Sequence, residues 1–189
     1  MIPIIQYEEI PRERILSRTG ERTDVADTVA EIIQAVREEG DEALFRYAKQ
    51  FDGAEPEELE VPQALLDRAE AELDPELRCI LEESAEHIRA FHSRQVRSSF
   101  LITQEDGVIL GQKITPLDRV GLYIPGGTAA YPSTVLMNAI PAKIAGCREI
   151  VMVSPPTCGG DVNPVILAAA RIAGVDRVIA VGGAQAVAA

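Results

Sequence analysis

The chain is constrained above all by a strand–loop–helix rhythm that occurs three times after residue 119. Each unit opens with a short apolar run that ends in glycine or proline and precedes a helix-like segment: GLYIPGG, EIVMVSPP and RVIAVGGA. Apolar runs that are nearly continuous, rather than alternating, are typical of parallel strands covered on both faces. Consecutive βα units favour a doubly wound, Rossmann-like parallel sheet. We therefore predict parallel strands near residues 119–124, 149–153 and 177–181.

Helices are expected after each of these strands. The pattern predicts them over residues 133–145 and 161–173, with a third that has barely begun at Ala189. Pro141 falls inside the first, where it should kink the helix or mark a late start, because proline lacks the amide hydrogen that a helix interior uses.

Residues 1–97 differ in character, since they are rich in charge and follow a helical period. One helix face is formed by apolar residues at intervals of three and four, namely Val25, Val29, Ile32, Ile33 and Val36. Thr23 or Asp24 can cap the start of this helix, and Gly40 can end it. Asp41 is then expected to cap a shorter helix that ends at Gly53 and carries Leu44, Tyr47, Ala48 and Phe51.

Two further helices are predicted before residue 98. Pro62 suits the first turn of one of them, ahead of Leu65, Leu66 and Ala69. Asp74 and Pro75 start a longer one, whose buried face should contain Leu77, Ile80, Leu81, Ile88 and Phe91. Residues 98–118 then predict a β-hairpin around Asp106-Gly107, a common turn dipeptide. The expected organisation is a helical region over 1–97, a hairpin connection over 98–118 and a Rossmann-like domain over 119–189.

The overall charge and cysteine content exclude several classes of protein. The 189 residues carry a formal net charge of −12, which argues against nucleic acid or an anionic membrane as partner. Three cysteines without a CxxC pair give no disulfide framework, which fits a reduced, cytoplasmic compartment. No apolar run reaches the roughly 18 residues that a membrane span needs, and the acidic residues near the N-terminus do not suit a signal peptide.

Ligands of such sheets bind at the carboxyl ends of the strands. The Gly-Gly pairs at 126–127 and 182–183 fall at that edge, where glycine lets a backbone approach a phosphate or an amide closely. The alternative is that any tight βα turn favours glycine. Neither loop has the GxGxxG spacing or the Lys-Ser/Thr of a P-loop, so spacing alone supports only a generic nucleotide site.

Other candidate sites are weaker. The only two histidines, His87 and His92, are five residues apart and would point about 140° away from each other on a helix, so they cannot form an i, i+4 metal pair. The acidic runs at 55–60 and 82–83 are typical of solvated surfaces. Cys147 and Cys158 have no histidine nearby in sequence, which leaves nucleophilic catalysis a minority interpretation.

The chain resembles the histidinol dehydrogenase family in three stretches that occur in the family's order: VGLYIPGGTAAYPSTVLMNAIPAKIAGC, VMVSPP and GVDRVIAVGGAQAVAA. The upstream GDEALFRYAKQFDG is similar to that family's N-terminal helical region. The resemblance covers nearly the whole chain, and GLYIPGG followed at this separation by GGAQA is highly specific.

The resemblance implies an NAD-dependent enzyme that oxidises L-histidinol to L-histidine through the aldehyde. It also implies an aldehyde-dehydrogenase-like Rossmann fold, a zinc ion and a homodimer. Two NAD-contacting positions of the family match this chain, Tyr123 of GLYIPGG and Gln185 of GGAQA. The alternative for Tyr123 is a half-buried aromatic of the core.

The family's zinc ligands and its Glu-His acid/base pair are expected downstream of residue 189. No catalytic or metal-ligating residue is therefore assigned to this chain, which is expected to be an N-terminal portion of the enzyme and inactive alone. A non-catalytic nucleotide-binding module remains the alternative.

Overall fold

The computed structural model of the chain describes residues 10–11, 25–126 and 129–189. Its N-terminal helices are α1 (Ala26–Glu39) and α2 (Asp41–Tyr47), joined at Gly40, whose φ of 60° favours glycine. The proposed caps Thr23 and Asp24 lie outside the described residues. Asp41 is the first residue of α2 rather than its cap, which is a small error of the sequence prediction.

Helix α2 continues into a π-helical turn, Ala48–Asp52, that Gly53 ends in the left-handed conformation, as predicted. Helix α3 (Gln63–Ala71) begins directly after Pro62, so the proline precedes the first turn. Helix α4 (Pro75–His92) begins after Asp74, whose carboxylate accepts hydrogen bonds from the Glu76 and Leu77 amides, each at 3.0 Å. The start of this helix at Asp74 and Pro75 was predicted from the sequence, and the Asp74 carboxylate caps it.

The predicted buried face of α4 was partly wrong. Leu81 is buried, and Leu77 and Ile88 are half-buried, but Ile80 and Phe91 are 52% and 65% exposed. Both lie about 80–100° around the helix axis from Leu81. The stripe that packs against the neighbouring helix is therefore narrower than the apolar pattern suggested.

A two-stranded hairpin follows a short 3₁₀ turn, Ser93–Gln95. Strands β1 (Phe100–Thr103) and β2 (Ile109–Gln112) pair antiparallel, as predicted, with Phe100 opposite Gln112. Asp106 and Gly107 form the turn: the Asp106 carboxylate accepts from the Val108 amide at 3.1 Å, and Gly107 has a φ of 85°.

The three predicted strands form one parallel sheet in the order β3-β4-β5. Their bounds are Arg119–Tyr123, Glu149–Ser154 and Arg177–Ala180. Helices α5 (Pro132–Ala145) and α6 (Pro164–Ala173) connect them, and α7 (Gly183–Ala188) follows β5. The prediction of an α/β fold with a Rossmann-like parallel sheet is confirmed.

Two helix details differ from the sequence prediction. Helix α5 starts at Pro132 and continues through Pro141, so the proline does not mark a late start. Helix α6 starts three residues later than predicted, because Asn163 caps it and accepts a hydrogen bond from the Val165 amide at 2.9 Å.

The two faces of the sheet are buried to different extents. One face contributes buried side chains to the main core, which α3, α4, α5 and α6 complete; among them are Ile150, Met152, Val178 and Ala180. The opposite face, with Val151, Val153 and Ile179, is only half-buried and packs in part against a smaller cluster from α1, α2 and α7.

The segment before α3 covers the outer edge of β5. The Ala180 amide donates to the Leu59 carbonyl at 2.7 Å, and the Val61 amide donates to the Val178 carbonyl at 2.8 Å. Glu60, between these residues, forms an ion pair with Arg177 at 2.6 Å. Glu60 stays exposed in this ion pair, as expected for a solvated acidic run. Among the described residues, no helix is long and apolar enough to cross a membrane.

Candidate functional site

The loops that leave the carboxyl ends of the three strands meet around Pro155. A Cβ placed on Gly126 would lie 2.4 Å from Pro155 Cγ, and one placed on Gly182 would lie 2.5 Å from Pro155 Cβ. Both distances are far inside van der Waals contact, which is about 3.5–4.0 Å between carbon atoms. Glycine is therefore required at both positions by packing between loops.

This packing explains two of the glycines, Gly126 and Gly182, that the sequence had suggested as part of a ligand site. Gly183, in the second pair, has a φ of 64°, so its backbone also requires glycine. Gly127, in the first pair, lies outside the described residues. The glycines of residues 126, 182 and 183 are thus explained without a ligand, and a ligand site has to be argued from other side chains.

Tyr123 and Gln185, the two residues matched to cofactor contacts, meet at Gly183. The Gly183 amide donates a hydrogen bond to the Tyr123 hydroxyl at 3.1 Å, which carries the tyrosine side chain from β3 across the end of β4. The Gln185 amide group also folds against this glycine, since its Oε1 would be 2.5 Å from a Cβ at Gly183. The fold therefore brings together two residues that are 62 positions apart in sequence.

The exposure of these two side chains is very different. Tyr123 is 43% exposed, so its side chain is half-buried. Gln185 is 1% exposed, and among the described residues neither its Nε2 nor its Oε1 has a hydrogen-bond partner. A buried amide without partners is costly, typically by about 1–3 kcal/mol. Such a group is expected where a ligand or another part of the protein supplies the missing partners.

A cavity of about 340 Å³ lies at the carboxyl ends of β3 and β4, beside the start of α6. Its walls are largely apolar and include Pro125, Ala129, Ala130, Pro155, Pro156 and Ile166. Polar side chains also line it, namely Ser154, Thr157, Asn163 and Asp52. Phe51 and Asp52 enter it from the π-helical turn, so the N-terminal helical region forms one wall.

Phe51 and Asp52 were not predicted to line this cavity. The sequence placed Phe51 on a helix that ends at Gly53, and the FDG stretch otherwise supported only the family resemblance. Aspartate directly before a helix-ending glycine was the available signal, because that position places a carboxylate at a loop. Nothing in the sequence showed that this loop would meet the carboxyl ends of strands about 70 and 100 residues later.

The histidines and cysteines do not form a metal site. His87 is exposed on α4, and His92 Nδ1 lies 2.7 Å from Gln95 Oε1. Cys79, Cys147 and Cys158 are free. Within residues 10–11, 25–126 and 129–189, no three histidine, cysteine, aspartate or glutamate side chains are grouped so that they could hold a metal ion. These residues do not fit zinc, which needs about three protein ligands in a catalytic site.

The sequence matches the family profile described as histidinol dehydrogenase over residues 16–189. The chain belongs to the histidinol dehydrogenase family. It is 54% identical over 168 residues to the histidinol dehydrogenase of Pseudomonas savastanoi pv. phaseolicola, an alignment that covers 87% of this chain and 37% of the relative. It is 44% identical over 194 residues to that of Clostridium acetobutylicum, covering all of this chain and 45% of the relative.

A crystal structure of histidinol dehydrogenase from Elizabethkingia anophelis has a similar fold. The TM-score is 0.84 at 34% identity, and the match covers 89% of this chain and 39% of that one. The family assignment made from the sequence is therefore confirmed. The chain spans about two fifths of the length of these histidinol dehydrogenases.

Proposed function

We propose that this chain forms part of the cofactor site of an NAD-dependent histidinol dehydrogenase. The reaction is the oxidation of L-histidinol to L-histidine through the aldehyde, in two successive steps. The observation that carries the proposal is the meeting of Tyr123 and Gln185 at Gly183, on the carboxyl edge of a parallel sheet, in a member of this family. NAD, when bound, supplies the acceptor for the hydride that leaves the substrate in each oxidation.

Tyr123 is suited to hold the cofactor because its ring is exposed and its hydroxyl is fixed. The hydroxyl accepts from the Gly183 amide and keeps its own hydrogen available for donation to a ligand. Its ring offers an apolar surface against which a flat base can pack.

Gln185 requires a local movement before it can contact the cofactor. Its amide is enclosed, with both polar atoms buried. A shift of the backbone at Gly182–Gly183 would expose one donor and one acceptor, and satisfying them favours the bound state. The unpaired amide of Gln185 therefore lowers the stability of the free protein, and it contributes to cofactor binding once its polar atoms are paired.

Three parts of the proposal rest on the family resemblance alone: the zinc ion, the acid/base residues and the subunit arrangement. The described residues do not fit zinc. The family's zinc ligands, and the residues that move protons during the reaction, are proposed to lie in the part of the relatives' length that this chain does not span. We propose further that the enzyme is a homodimer in the cytoplasm and that its small-molecule partners are L-histidinol and NAD. The 189 residues alone are expected to be catalytically inactive.

A non-catalytic nucleotide-binding module is the second candidate. The specific observation in its favour is the lack of a metal-ligand group among the described residues, combined with a formed cavity at the sheet edge. Such a module would bind a nucleotide without oxidising an alcohol.

The first test measures the binding of NAD to the purified chain by ligand-observed NMR and by calorimetry. We expect weak binding that Tyr123→Ala reduces about tenfold. Phe91→Ala, which removes another exposed ring on α4, is the matched control and should leave binding unchanged. Gln185→Leu should reduce NAD binding while raising the melting temperature, because it removes a buried amide that has no partners. Equal NAD affinity in all four proteins would show that the two residues were transferred from the family incorrectly.

The second test separates the enzyme from the module. NADH formation from histidinol and NAD is measured in a longer polypeptide of this family that contains these residues and in the 189-residue chain. Turnover by the longer protein, with a higher NAD requirement after Tyr123→Ala and an unchanged zinc content, supports the proposal. Failure of the longer protein to oxidise histidinol would favour the module.

A further inference from the structure

The β1–β2 hairpin carries an apolar surface that the described chain leaves largely exposed. Every residue from 93 to 119 is exposed, and the hairpin has six large apolar side chains between 44% and 78% exposed. They are Phe100, Leu101, Ile102, Val108, Ile109 and Leu110. None of the six belongs to either core cluster of the described residues. A two-stranded hairpin is marginally stable by itself, and an exposed apolar patch of this kind marks an interaction site.

Four of these side chains share one face of the hairpin. Side chains alternate between the two faces of a strand, and residues opposite each other in a ladder lie on the same face. Phe100 and Ile102 are two residues apart on β1, and Ile102 lies opposite Leu110. Val108 is two residues from Leu110 and continues the same face. This face is therefore entirely apolar at its centre and is not covered by the sheet or by the helices.

Strand β1 also has a free edge, since its sheet contains only β1 and β2 among the described residues. The Gln104 amide donates to the Val108 carbonyl at 2.8 Å, directly beyond the last paired residues of the strands. Hydrogen-bonded and non-hydrogen-bonded pairs alternate along an antiparallel ladder, so the backbone groups of Leu101 and Thr103 point outward. Such an edge is a template for pairing with another strand.

The charges on either side of β1 are complementary to those of a second copy of the chain. Arg97 precedes the strand and Glu105 follows it, and neither has an ionic partner within the described part of the chain. Antiparallel pairing of two β1 strands about Leu101 brings the outward-pointing residues opposite each other. It places Phe100 opposite Ile102 of the second copy. It also places Arg97 opposite Glu105 of the second copy, and the symmetry produces each contact twice.

We propose that the edge of β1 is an interface between two copies of this chain, which pair antiparallel about Leu101 in a four-stranded sheet of order β2-β1-β1-β2. The apolar faces of the two hairpins then become continuous, and both Arg97–Glu105 contacts join opposite charges. The interface is isologous, as two-fold symmetry requires. The homodimer proposed above has no assigned surface, and this inference assigns one from the hairpin alone.

The test reverses the two charges in the 189-residue chain and measures its mass by sedimentation equilibrium over a range of concentrations. Arg97→Glu and Glu105→Arg each place like charges opposite each other, whereas the double variant restores opposite charges. An equimolar mixture of the two single variants restores them as well, in a heterodimer. Lys113→Glu is the matched control, because it reverses an exposed charge that follows β2, away from the paired edge. Circular dichroism checks that every variant is folded.

We expect a concentration-dependent dimer of the wild type and a dissociation constant about tenfold higher in each single variant, because like charges directly opposite each other destabilise a strand pair. The double variant and the mixture should recover the wild-type value, and Lys113→Glu should keep it. Hydrogen exchange at the Leu101 and Thr103 amides should slow as the wild-type dimer forms, since pairing protects them.

Three results would overturn the inference. The first is a wild-type chain that stays monomeric into the millimolar range. The second is a dimer that Arg97→Glu and Glu105→Arg leave unchanged, and the third is one that Lys113→Glu weakens as much as they do. None of these results bears on NAD binding, so the inference and the proposed function fail separately.

Discussion

Gly126→Ala tests whether the strand-end loops are held together by packing on Pro155. The added Cβ would lie 2.4 Å from Pro155 Cγ, more than 1 Å inside an ordinary carbon–carbon contact. A proline ring is closed on its own backbone nitrogen and cannot rotate away. Overpacking of this kind costs about 1–3 kcal/mol. For a chain of this size each kcal/mol lowers the melting temperature by about 2–4 °C, so we expect a decrease of about 2–12 °C.

The neighbouring glycines provide controls of opposite kinds. Gly121 in β3 has open space where a Cβ would be placed, so Gly121→Ala should not lower the melting temperature. Pro155→Ala removes the ring carbon that obstructs Gly126→Ala, and the double variant should recover most of the loss. Gly182→Ala meets Pro155 Cβ at 2.5 Å and Cα at 3.1 Å, and alanine retains both atoms. Pro155→Ala should therefore not rescue Gly182→Ala.

The assay is thermal unfolding followed by circular dichroism, with each pair of variants analysed as a double-mutant cycle. A coupling energy near zero between Gly126→Ala and Pro155→Ala would refute the packing argument. So would equal rescue of both glycine variants, because the two contacts involve different atoms of the proline.

Substitutions at three further positions probe how the sheet and α4 are held. Asp176→Ala removes the acceptor of the Ile150 amide and the partner of an ion pair, so the free energy of unfolding in urea should fall by about 1–3 kcal/mol. Asp74→Ala should cost about 1 kcal/mol and Asp74→Asn less, since asparagine also caps helices; thermal unfolding distinguishes them. Arg177 lowers the pKa of Glu60, so that pair stabilises the fold at neutral pH and loses its effect as the pH falls through the acidic range. Melting temperatures between pH 7 and pH 3 should therefore vary less in Glu60→Gln, and the difference should shrink in high salt.

The sheet could be predicted because its signal is local. Each strand is a short apolar run between residues that break regular structure, and the parallel pairing follows from the helices between strands. Errors arose where a partner distant in sequence decides the outcome. The exposure of Ile80 and Phe91 depends on which stripe of α4 meets α5. The periodicity of α4 contains no information about that partner.

The only residues of the candidate site that could be predicted were those that the family resemblance supplied. Tyr123 and Gln185 came from matched positions, and the sheet topology explains why they meet, since both lie at the carboxyl ends of parallel strands. That Gln185 is enclosed could not be predicted, because glutamine is usually a surface residue. Its roles and those of Tyr123 as cofactor contacts stay predictions.

The glycines at the carboxyl edge of the sheet have a structural explanation that the sequence alone did not show. Gly126 and Gly182 attracted attention as possible phosphate-binding positions, yet each is required by contact with Pro155. The groups that do call for a partner are Gln185 and Asp52, because both have buried polar atoms without one among the residues that the structure describes. A backbone that must be glycine can be explained by packing within the fold, whereas these buried polar atoms call for a partner that the described residues do not supply. The case for a ligand at this edge therefore rests on the amide and the carboxylate, and substitutions there, rather than at the glycines, will decide it.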